Sequence, residues 1–464
     1  MSPAGASDGA SGIASGFPPS LGFGETRRSA ERGGGSRTAP DLERVLGGAW
    51  RDACFVVERR VSPSARHGRA LVGEFAARVS AAADCAPLIA SGAPARLPLL
   101  FFDLETTGLS GGAGTHAFLV GCGWFDVAGG FVTRQYLLAR VADERPLLAA
   151  VTARLDRVGA LVTFNGKSFD APVIETRYLF HRLEWTGARL PHVDVLHPAR
   201  RFWGSARGRA ASRASRSRES CSLVSLERQI LGAGRAGDVP GFEIPARYFQ
   251  FVRSGDARPL AAVLEHNRLD LLSLAGLTAR LLDLVQTGPA AARDAREALA
   301  LGGIYARAGD DARALAALRR AVEMGARGPV TDVTDVNDVI DVIDLSDANE
   351  VNALSHVRIE SLHALAVALR RARRFEEAAG CWRRLLDEPS CPAPCARDAN
   401  EALAIHHEHR LRDLAAAKTF ALRTLDHEPQ PGWRQAVRHR VARIDRRMER
   451  QAGAASGGAT LNLG

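Results

Sequence analysis

Apolar side chains run almost unbroken through LPLLFFDLE, residues 97–105. A run of that length without polar alternation predicts a β-strand covered on both faces. HAFLVGCGWFD (116–126) and GFVTRQYLLA (130–139) predict two further strands, each set off by a glycine-bearing connection. Short connections of this kind make neighbouring strands antiparallel. In ERPLLAAVTARLDRVG (144–159) the apolar period lengthens to that of an amphipathic helix, which Gly159 terminates. ALVTFNG (160–166) predicts a fourth strand, SFDAPVIETRYLFHRL (168–183) a helix opened by Ser168, and PHVDV (191–195) a short fifth strand. SLVSLERQIL (222–231) and PLAAVLEHNRLDLLSLAGLTARLLDLV (259–285) read as helices. Helices separate the later strands, which are therefore reached by crossovers. The expectation is an α/β domain over 97–286 with a mixed five-stranded sheet and flanking helices.

Outside that span the pattern changes. Residues 1–42 are rich in Gly, Ser, Ala and Pro, with too few large apolar side chains to offset the entropy of ordering, so a disordered tail is expected. Residues 43–96 form an N-terminal extension with strand and helix character in ACFVVERRV and GRALVGEFAARVSAAA. From 290 to 445 the chain is expected to be all helical, and YARAGDDARALAALRRAVEMG, LRRARRFEEAAGCWRRLLDEP and EHRLRDLAAAKTFALRTLDHEP echo one another. Small residues at helix crossings, with Pro389 and Pro429 closing two of the echoes, suit stacked helical hairpins and resemble tetratricopeptide repeats. An irregular helical bundle is the other reading. An acidic low-complexity insert over 328–356 carries Asp332, Asp335, Asp338, Asp341, Asp344 and Asp347 at every third position, then Glu350. That period fits neither helix nor strand, and the stretch lacks the glycine turn and terminal glutamate of a calcium loop. It is expected to be a mobile loop, and 446–464 a disordered C-terminal tail.

Composition changes this picture little. The 464 residues include 46% hydrophobic ones, enough for real cores, and the net charge of +9 with a pI near 9.7 favours a polyanionic partner. Arginine-rich composition has other origins, so the charge is weak evidence alone. The seven cysteines are scattered, with no disulfide framework and no zinc knuckle, which points to a reducing cytosol. No apolar run approaches the roughly 20 residues of a membrane span, and the N-terminus is not built like a signal peptide. A cytoplasmic location is the expectation.

The candidate chemistry begins at the end of the first strand. Side chains two apart on a strand point the same way, so Asp103 and Glu105 share a side. Two like charges there repel and raise each other's pKa unless a cation lies between them. Hard oxygen ligands suit Mg²⁺ or Mn²⁺. Asp170 in FNGKSFD starts the helix after the fourth strand, and Asp270 in EHNRLD lies on a late helix with His266 one turn before it on the same face. A strand and two helices each supplying acids is the layout of a two-metal phosphodiester site.

FDLETTG, NGKSFD and HNRLD resemble the three exonuclease motifs of the DEDD superfamily, which has a ribonuclease H-like fold. Together with GLSGGAGTHAFLVG, HVDVLHPAR, CSLVSLERQILG, DVPGFEIPARYFQF and HNRLDLLSLAGL, they are similar to the YprB-type predicted exonucleases, themselves similar to the proofreading domain of family B polymerases. The resemblance covers residues 97–285. It implies a 3′-to-5′ exonuclease with two Mg²⁺ or Mn²⁺ ions. Asp103, Glu105 and Asp270 would hold the metal beneath the attacking water, Asp103 would also touch the second metal, and Asp170 would act on that one. His266 sits at the spacing that such enzymes use for tyrosine rather than histidine. It either orients or deprotonates the water, or is a structural histidine on a packed helix.

Further residues divide between ligand contact and local structure. Thr106, Thr107 and the glycines 111, 112 and 114 flank the acids. Asn165 holds a turn or touches the nucleotide, and Lys167 meets a phosphate or is an ordinary surface lysine. Asp194 is read as support rather than ligand, and His116 as core or site. A basic insert over 200–219 contains Arg207, Arg209, Arg213, Arg216 and Arg218, either a solvated linker or a clamp on a phosphate backbone, with Trp203 available for stacking. The expected partners are single-stranded DNA or RNA and, through the helical repeats, a protein. The competing readings are a non-catalytic nucleic-acid-binding scaffold and a structure-selective endonuclease on the same fold.

Overall fold

The computed structural model describes residues 39–89, 94–108, 114–204, 221–326, 345–426 and 431–458. The acid-bearing run becomes strand β5 (Leu99–Thr106), and it is central because Leu99 to Phe102 are all buried. Around it lie β6 (Ala117–Phe125), β7 (Phe131–Leu137), β8 (Ala160–Thr163) and β9 (His192–Asp194). β6 and β7 are antiparallel neighbours on one side, and β8 and β9 are parallel on the other, as their connections require.

The sheet has seven strands rather than the five expected. The N-terminal extension supplies β1 (Ala49–Arg51) and β2 (Cys54–Val61), and β2 pairs with β7 along its length, from Phe55 opposite Leu137 to Val61 opposite Phe131. An uncovered β7 would leave a row of unpaired backbone groups, and β2 removes that edge. β3 (Arg66–His67) and β4 (Ala70–Leu71) form a separate hairpin. The extension is thus part of the α/β domain.

The two faces of β5 separate its residues. Leu100, Phe102 and Leu104 pack with Leu147, Leu148 and Val151 of the helix Glu144–Leu155 and with Tyr248 and Phe251 of the helix Ile244–Ser254. Leu99 and Phe101 pack with Leu271, Leu274 and Ala275 of the long helix Arg258–Thr287. Each such side chain is worth about 1.5–3 kcal/mol of apolar burial. The row of Leu99 and Phe101 continues into Asp103 and Glu105, so the acids are aimed at the long helix.

The described residues from 295 onward are mostly helical and stack in sequence order. Helices Ala295–Ala308 and Asp311–Ala326 make one hairpin, Leu345–Arg371 and Phe375–Leu386 a second, Ala393–His406 and Leu414–Arg423 a third, with Pro431–Gly458 last. The first hairpin shares the core of the α/β domain through Ala298, Leu301, Ile304 and Tyr305. Trp203 reinforces that seam. Its indole N–H donates to Glu297 Oε1 at 2.9 Å, and Arg280 Nη2 donates to Glu297 Oε2 at 2.6 Å. Trp203 is therefore a tie between the two regions.

Three expected boundaries move. A helix already covers Ala39–Leu46 and buries Leu42 and Leu46, because its two leucines one turn apart join the core that includes Phe55 and Val57 of β2 and Val263 and Leu264 of the long helix. The acidic insert is not all loop, since the helix that follows starts at Leu345. The last helix runs to Gly458, through part of the tail expected from 446. Residues 327–344, with most of the aspartate repeat, lie outside the described residues. Among those described, no helix is long and apolar enough to cross a membrane.

Candidate active site

Asp103 lies in a row across three strands, opposite Gly121 of β6, which is opposite Gln135 of β7. Asn267 of the long helix lies over this row, fully buried. It donates through Nδ2 to Asp103 Oδ2 at 2.7 Å and accepts at Oδ1 from Gln135 Nε2 at 2.8 Å. Gln135 Nε2 also donates to the Leu264 carbonyl oxygen at 2.7 Å. Only glycine fits at 121, because a Cβ there would stand 2.3 Å from Asn267 Oδ1. The strand row thus sets the rotation of the long helix, and with it the direction of Asp270.

Asp170 arrives from the other side. β8 stops at Thr163, and its pairing with β5 ends at Phe101, short of the acids. The chain turns at Asn165, which adopts the left-handed conformation with φ 67°. Asp194 anchors that turn by accepting from the Asn165 N–H at 2.8 Å and the Lys167 N–H at 3.1 Å. The helix Asp170–Phe180 then begins, and the buried Asp170 carboxyl receives a hydrogen bond from the backbone of Leu104, between the two acids of β5.

Asp270 and His266 are held from outside the three motifs. Arg235 Nη2 donates to Asp270 Oδ1 at 2.5 Å and to Glu227 Oε2 at 2.6 Å, and Arg235 Nη1 donates to Asp238 Oδ2 at 3.1 Å. His266 Nδ1 lies 2.7 Å from Asp238 Oδ1, and its Nε2 lies 3.4 Å from Asp270 Oδ2. Donor atoms of Glu105, His266 and Asp270 all lie within 4.8 Å of one another. Glu227 stands in a π-helical turn, Glu227–Leu231, and accepts from Ser273 Oγ at 2.6 Å. Ser273 Oγ is 2.9 Å from His67 Nε2 on β3, so the N-terminal hairpin backs the site.

The carboxylates strain against each other. Burial, then the charges of Asp270, Glu105 and Asp170, hold the Asp103 carboxyl far above the usual range. Burial, then Asp270, Asp170 and Asp238, do the same for Glu105. Burial pushes Asp170 up to about 7, aided by the charge of Asp194 and opposed by two backbone hydrogen bonds. Burial also raises Asp270 despite Arg235 and His266. Asp238, though burial opposes it, is held below its ordinary value by His266 and Arg235. Arg235 is one cation divided among three acids, so negative charge is left over at Asp103, Glu105 and Asp170. A divalent cation with a preference for oxygen ligands fits this donor set.

The structure therefore brings Asp103, Glu105, Asp170, His266 and Asp270 together. Thr106 and Thr107 are engaged in the turn. Thr106 Oγ1 donates to the Gly108 carbonyl at 2.9 Å, and Thr107 Oγ1 accepts from the His116 N–H at 3.0 Å. Asn165 serves the turn, and its side chain and that of Lys167 are exposed. His116 belongs to a buried cluster around Glu144. Arg207, Arg209, Arg213, Arg216, Arg218 and the glycines at 111 and 112 lie outside the described residues. Sequence reasoning passed over Asn267, Gln135, Arg235 and Asp238. Two of them stand in view as charges inside the glycine-rich stretch GAGRAGDVPG (232–241).

This sheet order, with acids on the central strand and on two helices packed against it, is that of an RNase H-like domain. Residues 100–282 match the family RNase_H_2 of the RNase_H superfamily, a span that contains all five clustered residues. The chain is also 34% identical over 232 residues to the uncharacterized protein YprB of Bacillus subtilis (strain 168). That match covers 48% of this chain and 52% of the relative, so the chain spans about half of the curated relative's length.

Proposed function

We propose that the chain is a metal-dependent nuclease that hydrolyses phosphodiester bonds of single-stranded DNA or RNA from the 3′ end. The observation that carries the reading is the convergence of Asp103, Glu105, Asp170 and Asp270, all held above the ordinary carboxylate range. Buried acids that repel are costly to keep, and perturbed groups of this kind concentrate at functional sites. Asp103, Glu105, Asp170 and Asp270 would hold two Mg²⁺ or Mn²⁺ ions. Bound there, such ions activate water and offset charge on the leaving oxygen. Asn267 keeps Asp103 in its rotamer, Leu104 N–H keeps Asp170 facing β5, and Arg235 restrains Asp270. Because Arg235 also meets Glu227 and Asp238, it holds Asp270 without neutralising the site.

End-labelled single-stranded and duplex DNA and RNA, incubated with Mn²⁺ or with chelator, test the reading. Stepwise shortening from the 3′ end supports it. Internal cuts at junctions favour the structure-selective endonuclease, and tight binding without cleavage favours the scaffold. His266→Ala is expected to slow turnover by about a hundredfold or more, whether the ring moves a proton or holds the ion that activates the water, with substrate binding nearly unchanged. Unchanged turnover from pH 6 to 9 would return His266 to a structural role.

The arginine insert is proposed to bind the phosphate backbone. Replacing Arg207, Arg209, Arg213, Arg216 and Arg218 by Ser should weaken nucleic-acid binding while leaving turnover at saturation nearly unchanged. Each phosphate neutralised contributes about 0.7 to the log–log salt slope for single strands, and a run of arginines seldom places all its charges on phosphates at once, so the slope should fall by about two. An unaltered slope and affinity would make the insert a linker. The helical region, read as tetratricopeptide-like repeats, is proposed to recruit a protein partner in the cytoplasm.

A further inference from the structure

We propose that His266 is a nitrogen ligand of the divalent cation, completing a site with Glu105 and Asp270, and that Asp238 is the positioning residue that orients it. The inference rests on the metal-dependent reading above and adds a ligand that the four carboxylates leave out. Its first support is the hydrogen-bonding state of the imidazole. Nδ1 lies 2.7 Å from Asp238 Oδ1. A carboxylate oxygen accepts, so this contact places a hydrogen on Nδ1 and leaves Nε2 as the ring atom turned towards Asp270. Metal-bound histidines almost always donate their other ring N–H to a carboxylate, carbonyl or water, which fixes tautomer and ring direction.

The second support is what Nε2 faces. Asp270 Oδ2 is 3.4 Å away, and the other oxygen of that carboxylate is taken by Arg235 at 2.5 Å. A lone pair directed at a carboxylate oxygen needs a proton or a metal ion between them, and a divalent cation shared with Glu105 and Asp270 would supply the second. The third support is reach. Ligands bonded at roughly 2.1 Å to one ion stand at most about 4.2 Å apart, and the donors of Glu105, His266 and Asp270 are within 4.8 Å. A closure of a few tenths of an ångström completes the shell. Asp238 is itself held by Arg235 at 3.1 Å, so one turn fixes both the histidine and the carboxylate. An imidazole also changes selectivity. It favours transition-metal ions over Mg²⁺, which prefers oxygen donors.

The test is Mn²⁺ titrated into the full-length protein without nucleic acid, followed by calorimetry and by pulsed electron paramagnetic resonance for nitrogen coupling. The unmodified protein should show coupling from a directly bound imidazole. His266→Gln should lose that coupling and bind Mn²⁺ at least about tenfold more weakly, with Mg²⁺ affinity changed less. Asp238→Asn should keep the coupling and weaken Mn²⁺ binding by about 10–100-fold, the range found for partners of metal-bound histidines. Mn²⁺ bound without nitrogen coupling overturns the proposal, as does failure to bind Mn²⁺ at millimolar concentration. The measurement on the unmodified protein decides the matter even where a variant does not fold. Cleavage without nitrogen coupling would sink this inference alone, whereas nitrogen-coupled Mn²⁺ on a protein that cleaves nothing would sink the nuclease reading alone.

Discussion

Asp170→Asn is expected to remove metal-dependent cleavage, by at least about a thousandfold, and to raise the melting temperature of the metal-free protein at pH 8. Loss of a single preorganised charge-stabilising group already costs about 10²–10³ in turnover, and Asp170 contributes to a shared site. The stability effect has the opposite sign because the folded carboxyl titrates at about 7 against an ordinary 3.8. A raised acid favours the folded state only while it is protonated. Its contribution is fully present below pH 3.8 and is lost as pH rises through 7. The shift corresponds to roughly 4 kcal/mol above that range. The asparagine variant escapes this loss, so its advantage in chelator should grow from pH 4 to 8 and vanish below. Mn²⁺ should reverse the order by stabilising the unmodified protein alone. Thermal unfolding across this pH range, with chelator and with Mn²⁺, checks both signs. Unmodified protein that melts above the variant in chelator at pH 8 would contradict the account of a carboxyl raised by burial.

Arg177→Met should be the most destabilising of these substitutions, at about 3–5 kcal/mol, because it strands a buried charge. Arg177 and Glu144 are 1% and 2% exposed. Arg177 Nε and Nη2 donate to Glu144 Oε1 and Oε2 at 2.6 and 2.5 Å. His181 Nε2 lies 2.8 Å from Oε2 and His116 Nδ1 3.2 Å from Oε1. Burial alone would raise Glu144, but these partners bring it down to about 2 from 4.5. The stability so gained is present above pH 4.5 and is lost as pH falls towards 2. The variant should therefore melt on the order of 10 °C lower at pH 7, with a smaller gap in acid. Calorimetry at pH 7 and pH 3 measures both. A gap that widened in acid would assign the stability to groups other than Glu144. The cluster joins the helix bearing Asp170 to the helix Glu144–Leu155, so it also seats one of the four acids.

Much of this architecture is legible in the chain itself. An apolar run covered on both faces can only lie centrally, which places β5. Period two then puts Asp103 and Glu105 on one side, and a helical period puts His266 and Asp270 on one face. These are local regularities, and local geometry suffices to read them. The two added strands are not legible in that way. ACFVVERRV announces a strand but not its partner, because pairing with β7 depends on which edge is left bare once the rest of the sheet has formed. The helix over Ala39–Leu46 escapes a reading of composition for the same reason, since Leu42 and Leu46 become worth burying only when a folded core is there to receive them.

The supports of the site belong to the tertiary structure alone. Asn267 reads as a polar residue on a helix until Gly121 leaves it room over β6 and Gln135 meets it from β7. Arg235 and Asp238 read as charges in a glycine-rich connection until folding sets them against Asp270 and His266. Trp203 shows no partner in the sequence, and only the fold sets its N–H against Glu297, far along the chain. The acids themselves were determined by the sequence, because their spacing on strand and helix follows from backbone periodicity. What surrounds them was decided by the fold, because hydrogen bonds and desolvation depend on which distant segments are brought within a few ångströms.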